Sequence, residues 1–399
     1  MLIPMSRRPS PQHPRLTRIR RFFGRLRSVT DTFFTNNNEV TLYQHGGEFF
    51  PALLSALEAA TRSIHLEFYT VRNDRVGQAV AERLLQSARS GVNVYLLYDY
   101  MGSFDTPGSF FRMLEQGGVH CVAFNPPPFR RGLAWFDKRD HRKIAVIDGQ
   151  TAFAGGLNIA DEYAGFGEDT KRWRDMGVRI QGPAVLELLK VFCENWQGET
   201  GDELPACAAM PAVGTKGNDD VMIVSGGPHH NRSRIRAAFR AAIAGAEESI
   251  RIENPYFVPG PRITRSLLRA ARRGVQVQLI LPAYSDVPLV RLVSRGFYAP
   301  LIRGGIQIYE RKKTILHSKV MLIDDSWAVI GSANLDQRSF HRNYEVSVVV
   351  DSDAFGEQVA GMFAADLALS VPVSLAEHER RGWLVRLGER LCKPISWFL

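Results

Sequence analysis

One block of residues occurs twice in this chain. The first copy runs His141-Arg142-Lys143, then Asp148, then Gly155-Gly156-Leu157-Asn158. The second runs His317-Ser318-Lys319, then Asp324, then Gly331-Ser332-Ala333-Asn334. In both, the lysine follows the histidine by two positions, the aspartate by seven and the asparagine by seventeen. One such string arises by chance. Two of them, 176 positions apart, require a duplicated unit and constrain the chain to fold as two like halves. A duplicated His/Lys/Asn set points to one active site built from both.

The duplication extends upstream of the histidines. Ser63-Ile64-His65-Leu66-Glu67-Phe68-Tyr69 resembles Ser249-Ile250-Arg251-Ile252-Glu253-Asn254-Pro255-Tyr256, and each follows an amphipathic stretch, at 50–60 and 235–246. Gly91-Val92-Asn93-Val94 and Gly274-Val275-Gln276-Val277 each read as a glycine helix end followed by an apolar strand. Gly117-Gly118-Val119 and Gly304-Gly305-Ile306 repeat that junction. Strands alternating with helices give an α/β unit, occurring twice, with a mixed, largely parallel sheet flanked by helices and the active site at the interface between the units. The divisions expected are a basic leader at 1–37, a first half at 38–200, a linker at 201–218, a second half at 219–370 and an amphipathic tail at 371–399. The 101–139 region reads as a long loop beside the site. With 283–298 it forms an expected entrance for acyl chains.

Ile144–Ile147 and Val320–Ile323 read as buried strands. Residues two apart on an extended chain face the same side, so each His and Lys share a face. Asp148-Gly149 signals a tight turn. Asp148 and Asp324 are thus expected to fix turns rather than to react. Gly155, Gly156, Gly331 and Ser332 have little or no side chain and are expected to let backbone or a phosphate approach, beside Asn158 and Asn334.

An imidazole serves as a nucleophile, or as a general acid and base near neutral pH. An ammonium and an amide donor stabilise charge building on phosphate oxygens. Two sets around one phosphate suit a covalent phosphohistidine mechanism that needs neither metal nor cofactor. A histidine in such a role needs a carboxylate to fix its tautomer. Trp173-Arg174-Asp175 and Asn343-Tyr344-Glu345 open equivalent apolar strands, so Asp175 and Glu345 are the expected partners of the Nδ1 atoms. Glu67 and Glu253, with Tyr69 and Tyr256, either line the pocket or shoulder it with hydrogen bonds. His229-His230 has no second ligand pair at metal spacing and reads as a loop.

The net charge is +9, and eight arginines without an acid fall in residues 1–30. The remaining 369 residues carry about +1, so the basic character belongs to the leader. Phe22, Phe23, Leu26, Phe33 and Phe34 beside those arginines favour an anionic membrane surface; a solubilising leader is the plain alternative. Trp383, Leu384, Leu387 and Leu391 form one helical stripe, which either lies in the headgroup layer or packs on the domain. No run of about 18 uncharged apolar residues occurs, and residues 1–14 lack a signal-peptide core, which places the protein on the cytoplasmic side of a membrane. The four cysteines are scattered and form no C-x-x-C pair, so neither a disulfide framework nor a zinc site is expected.

The two strings match H-x-K-x4-D followed by G-G/S-x-N, and from about Val40 to Leu369 the chain resembles the phospholipase D superfamily. Asp140–Gly149, Gly155–Tyr163, Trp173-Arg174-Asp175 and Glu253–Pro259 resemble bacterial cardiolipin synthases of the short, non-transmembrane type. The resemblance implies transfer of a phosphatidyl group between two phosphatidylglycerols, giving cardiolipin and glycerol, with phosphatidylethanolamine a donor in some relatives. It implies a phosphohistidine on His141, with His317 as acid and base, at the inner face of a bacterial membrane. A hydrolase sharing the intermediate and a nuclease of the same superfamily are the competing readings. The near-neutral core disfavours the nuclease, so no nucleic acid is expected.

Overall fold

The computed structural model describes residues 32–127, 136–167, 169, 171–209, 212–228, 233–382 and 388–389. The arginine-rich segment 1–31, His229-His230 and most of the 383–399 stripe lie outside these residues.

Seven strands build the first half: β1 (Thr35–Tyr43), β2 (Ser63–Phe68), β3 (Asn93–Asp99), β4 (His120–Phe124), β5 (Lys143–Ile147), β6 (Thr151–Gly155) and β7 (Gly177–Gln181). The second half holds β8 (Asp219–Gly226), β9 (Ser249–Glu253), β10 (Gln276–Tyr284), β11 (Gln307–Ile315), β12 (Val320–Ile323), β13 (Trp327–Gly331), β14 (Glu345–Asp351) and the short β15 (Ser370–Pro372). The order β15-β11-β10-β9-β12-β13-β14-β8-β1-β7-β6-β5-β2-β3-β4 is the same path read outward twice from its centre. The two sheets are therefore one sheet, joined where β1 pairs antiparallel with β8. It is mixed. Parallel pairing is confined to β2-β3-β4 and β9-β10-β11, the strands joined by helical crossovers.

Burial follows from this arrangement. β5 (Lys-Ile-Ala-Val-Ile) and β12 (Val-Met-Leu-Ile) are buried throughout, as strands covered on both faces must be. One apolar cluster belongs to each outer half. A third draws on both, bringing Ile144, Val178 and Leu188 together with Val320, Val348 and Phe363. The helix Ala184–Thr200 packs against β8, and the helix Asp353–Ala368 packs against β1, so each half covers the other's central strand.

Each duplicated string makes a hairpin. Asp148 and Asp324 sit at the turns with φ of 54° and 50°. Asp148 accepts from the backbone N–H of Thr61, Arg62 and Ser63 at 2.7–2.9 Å, tying the β5–β6 turn to the start of β2. Asp324 does the same with Glu247, Glu248 and Ser249 at 2.8–2.9 Å. Both aspartates stand at the hairpin end opposite the histidines.

Three expectations are corrected. The region 101–139 is not a long loop: it contains the helix Gly108–Gln116 and strand β4, with residues 128–135 outside the described set. Its amphipathic Phe110, Phe111 and Leu114 are buried against the first core. Cys193 and Cys207 form a disulfide, because Gly201 turns the chain in a left-handed conformation and returns a short helix to the end of Ala184–Thr200. No C-x-x-C signature flagged that pair. Finally, β1 begins at Thr35, inside the segment expected to be leader.

Candidate active site

The two histidines enter the site on short bridges between the halves. His141 N donates to the Tyr344 carbonyl at 2.9 Å, and His317 N donates to the Arg174 carbonyl at 2.7 Å. Each histidine is thus pinned beside the residue that precedes a carboxylate of the opposite half. His141 Nδ1 lies 3.1 Å from both oxygens of Glu345. His317 Nδ1 lies 2.6 Å from Asp175 Oδ2. The sequence offered both acids as partners of the Nδ1 atoms without assigning one to each histidine; the bridges pair each histidine with the acid of the opposite half. A carboxylate only accepts, so Nδ1–H donates to it and Nε2 keeps the free lone pair.

Burial sets the charges. It pushes the His141 imidazole down to about 4; Glu345 opposes this and Lys143 adds to it. It lowers His317 as well, with Lys319 reinforcing the shift. Lys143 is driven down to about 7 by burial, against Glu345 and with help from the charge of Lys319. Burial alone would raise both carboxylates. Lys319 and His317 instead hold Asp175 below the usual range, and His141 and Lys143 hold Glu345 there. Perturbed groups gathered in this way mark a functional site.

A cavity of about 410 Å³ opens over both rings, within the range of small-ligand sites. His141, His317, Asn158 and Asn334 all face it. The lysines do not: they sit behind the histidines, with Lys143 Nζ donating to the His141 carbonyl at 2.6 Å and Lys319 Nζ 2.6 Å from His317 Nδ1. The asparagines differ. Asn158 Oδ1 accepts from Thr70 N and its Nδ2 donates to Tyr163 Oη, whereas Asn334 Oδ1 is buried with no hydrogen-bond partner among the described residues.

Of the two approaches expected of the small residues, the structure shows that of the neighbouring strand. A Cβ on Gly156 would stand 2.2 Å from Asp175 Oδ1, and one on Gly331 2.2 Å from the Val346 carbonyl. A Cβ on Gly155 would meet the Met176 carbonyl at 2.5 Å. These glycines admit the neighbouring strand and its carboxylate rather than a phosphate. Ser332 Oγ donates to Glu345 Oε2, so it orients the acid. None of the four faces the cavity.

Glu67 and Glu253 shoulder the site without lining it. Glu67 accepts from Arg142 at 3.2 Å and Asn195 at 2.9 Å; Glu253 accepts from Ser318. Tyr69 and Tyr256 do face the cavity. The aromatic wall was only partly anticipated. Tyr163, Trp173 and Tyr256 surround His317 with ring centroids at 5.3, 5.2 and 6.1 Å, while Tyr69 stands 5.0 Å from His141. Tyr163 and Trp173 lie in family-like segments of the sequence, but nothing in their spacing gave their direction. Arg174, fully buried against Asp366 at 2.7 Å, carries the backbone that holds His317.

Comparison with known proteins agrees with this geometry. A family model described as cardiolipin synthase, phospholipase D-like domain matches residues 53–196 and 239–367, one segment per half. A cardiolipin synthase of Geobacillus thermodenitrificans is 36% identical over 363 residues, covering 90% of this chain and 72% of that protein. Cardiolipin synthase A of Pseudomonas syringae is 36% identical over 366 residues, covering 90% and 75%. Among solved structures, phosphatidylserine synthase of Haemophilus influenzae shares the fold with a TM-score of 0.70 at 13% identity, covering 96% of this chain and 99% of that one. Polyphosphate kinase of Porphyromonas gingivalis gives 0.55 at 14% identity, covering 83% and 50%. With both halves matched by one family model, the chain belongs to the cardiolipin synthase family of phospholipase D-like enzymes.

Proposed function

We propose that the enzyme transfers a phosphatidyl group from one phosphatidylglycerol to another, forming cardiolipin and glycerol through a phosphohistidine. In the first step His141 Nε2 attacks phosphorus. The bond from phosphorus to the glycerol oxygen breaks, and protonated His317 gives its proton to that oxygen. In the second step the primary hydroxyl of the second lipid gives its proton to His317 and attacks phosphorus. The phosphorus–nitrogen bond breaks and His141 is restored. Lys143 and Lys319, behind the rings, and Asn158 and Asn334, on the cavity wall, offset the charge building on the phosphoryl oxygens. Glu345 and Asp175 hold the tautomers. An anionic phosphodiester between the rings favours the charged forms that burial by itself disfavours.

The observation that carries this reading is the pair of crossed His–carboxylate contacts opening on one cavity. Such symmetry suits a reaction whose two steps run the same chemistry in opposite directions. The lipid class rests on the relatives and on the rim. Met101 and Val287 face the cavity from opposite halves, and Phe104 and Leu289 flank them in sequence, exposed by 66% and 40%. Four acids, Asp105, Glu162, Asp286 and Asp336, offset the three arginines in the cavity, unlike the uniformly basic groove of a nucleic-acid enzyme. Among the described residues no helix is long and apolar enough to cross a membrane. The reading therefore places the enzyme peripherally on an anionic membrane surface, at the inner face of a bacterial membrane. Phosphatidylethanolamine stands as an alternative donor.

The experiment is incubation with phosphatidylglycerol vesicles and identification of products by mass. Cardiolipin with glycerol is expected. Phosphatidic acid alone would make the enzyme a hydrolase, and no lipid turnover alongside DNA cleavage would make it a nuclease. Deletion of residues 1–31 is expected to weaken binding to anionic vesicles while leaving turnover of a soluble phosphodiester in place.

A further inference from the structure

At one of the cavity-facing positions where the two halves differ, the charge is reversed. Four residues beyond each duplicated asparagine stand Glu162 in the first copy and Arg338 in the second. Both side chains line the cavity over the histidines, so equivalent positions carry opposite charge. The other two arginines facing it are matched by carboxylates. Arg72 lies 2.6 Å from Asp105, and buried Arg139 lies 3.4 Å from Asp99. Arg338 has no carboxylate within ion-pair distance among the described residues. Its one hydrogen bond there runs from Nη2 to the Asp137 carbonyl at 3.1 Å, which orients the guanidinium and leaves most of its donors unused.

The backbone beneath it is fixed. Asp336 caps the helix Gln337–His341 by accepting from Ser339 N at 2.7 Å, and the Arg338 carbonyl accepts from Arg342 N and Asn343 N at 2.8 and 3.1 Å. An unmatched planar fork on a held backbone suits an anion with two oxygens to offer.

The transfer reaction supplies such an anion, and the inference rests on that reading. A phosphatidylglycerol acceptor attacks with its terminal hydroxyl and keeps its own phosphodiester, a negative charge one glycerol unit away from the reacting phosphorus. The catalytic histidines and lysines are occupied by the phosphoryl group in transit. A second phosphate needs a second cation inside the same cavity. Water and simple alcohols need none.

We propose that Arg338 binds the spectator phosphodiester of the acceptor lipid and so selects an anionic lipid alcohol over neutral acceptors.

The test is a competition. Phosphatidylglycerol vesicles are supplied with ethanol, and cardiolipin and phosphatidylethanol are counted by mass. In the unmodified enzyme the ratio of cardiolipin to phosphatidylethanol is expected to fall as salt rises, because the guanidinium is partly solvated and its contact is screened. Arg338→Gln is expected to lower that ratio about tenfold or more, the factor given by loss of one charge-assisted hydrogen bond. Arg338→Lys keeps the charge without the fork and is expected to fall between. Equal loss of both products in the glutamine variant would make Arg338 part of the chemistry or the fold and overturn the proposal. An unchanged ratio in that variant, or a salt-independent ratio in the unmodified enzyme, would overturn it as well. Failure of the unmodified enzyme to form either product would remove the transfer reading itself, whereas a failed ratio removes only the subsite.

Discussion

His141 and Glu345 are 204 residues apart in sequence and meet at 3.1 Å, while His317 and Asp175, 142 residues apart, meet at 2.6 Å. Each half therefore holds one histidine and the carboxylate of the other. A half alone contains no complete pair, which gives the duplication a chemical reason to persist as one chain with a shared core.

This crossing makes the carboxylates testable. Glu345→Gln and Asp175→Asn keep the shape, remove the charge and put an amide NH2 beside Nδ1, so the imidazole tautomer is no longer fixed. Each is expected to lower kcat by about 10²–10⁴-fold. His141→Ala and His317→Ala are expected to lose at least as much. Turnover of phosphatidylglycerol, read beside the melting temperature, checks this. Full activity in either carboxylate variant would leave the pairs without a role.

The pH profile follows from the buried site. His141, lowered to about 4, is neutral above that pH and able to attack. Lys143, lowered to about 7, carries its charge only below that pH in the free enzyme. The profile of kcat/KM is expected to rise through about 4 and to fall as pH climbs, first as His317, lowered by burial, loses the proton that the leaving alcohol needs, and then past about 7 as Lys143 loses its charge. Lys143→Arg keeps its charge at every accessible pH and is expected to move the alkaline fall upward. An alkaline limb unmoved by that substitution would assign the titration to another group.

Gly156 and Gly331 are predicted to be intolerant for reasons of space. Gly156→Ala drives a methyl group against the Asp175 carboxylate, and Gly331→Ala drives one against the Val346 carbonyl. Each is expected to cost about 1–3 kcal/mol of stability. Gly156→Ala should also reduce turnover of the protein that remains folded, through His317. Gly361, exposed in the helix Asp353–Ala368 with open space where a methyl group would stand, is the control: Gly361→Ala is expected to raise the melting temperature.

The Cys193–Cys207 disulfide closes a short loop, its two residues 14 positions apart. Loop closure of that size is worth about 3 kcal/mol. Thermal unfolding with and without reductant is expected to show a drop in the unmodified protein and none in Cys207→Ser. Equal melting of the two proteins under oxidising conditions would mean that the bond contributes nothing.

Much of this molecule was legible in its sequence. The repeat fixed two α/β units, because identical spacing of His, Lys, Asp and Asn has no other economical cause. Asp-Gly after a four-residue apolar run gave the β5–β6 hairpin. The crossing was not legible: Asp175 and Glu345 follow their own histidines in the same order, and a linear repeat does not say whether contacts close within a unit or between units. The edge pairing of β1 with β8 decides that, and β1 carries only a weak alternation. The helix Gly108–Gln116 was hidden by its short length among Gly, Ser and Pro. The cysteine pair was hidden because its contact depends on the turn at Gly201. The difference between Glu162 and Arg338 was readable by aligning the copies, but it acquires meaning only once both are seen to face one cavity.

The most direct test of the central claim is single-turnover chemistry with a phosphatidyl p-nitrophenol diester, whose leaving group needs no acid. In His317→Ala, a burst of nitrophenol equal to the enzyme present is expected, together with a gain of one phosphatidyl group on the peptide that contains His141. His141→Ala is expected to give no burst and no mass gain. A burst in neither variant, or turnover in the unmodified enzyme with no adduct on either histidine peptide, would contradict the account.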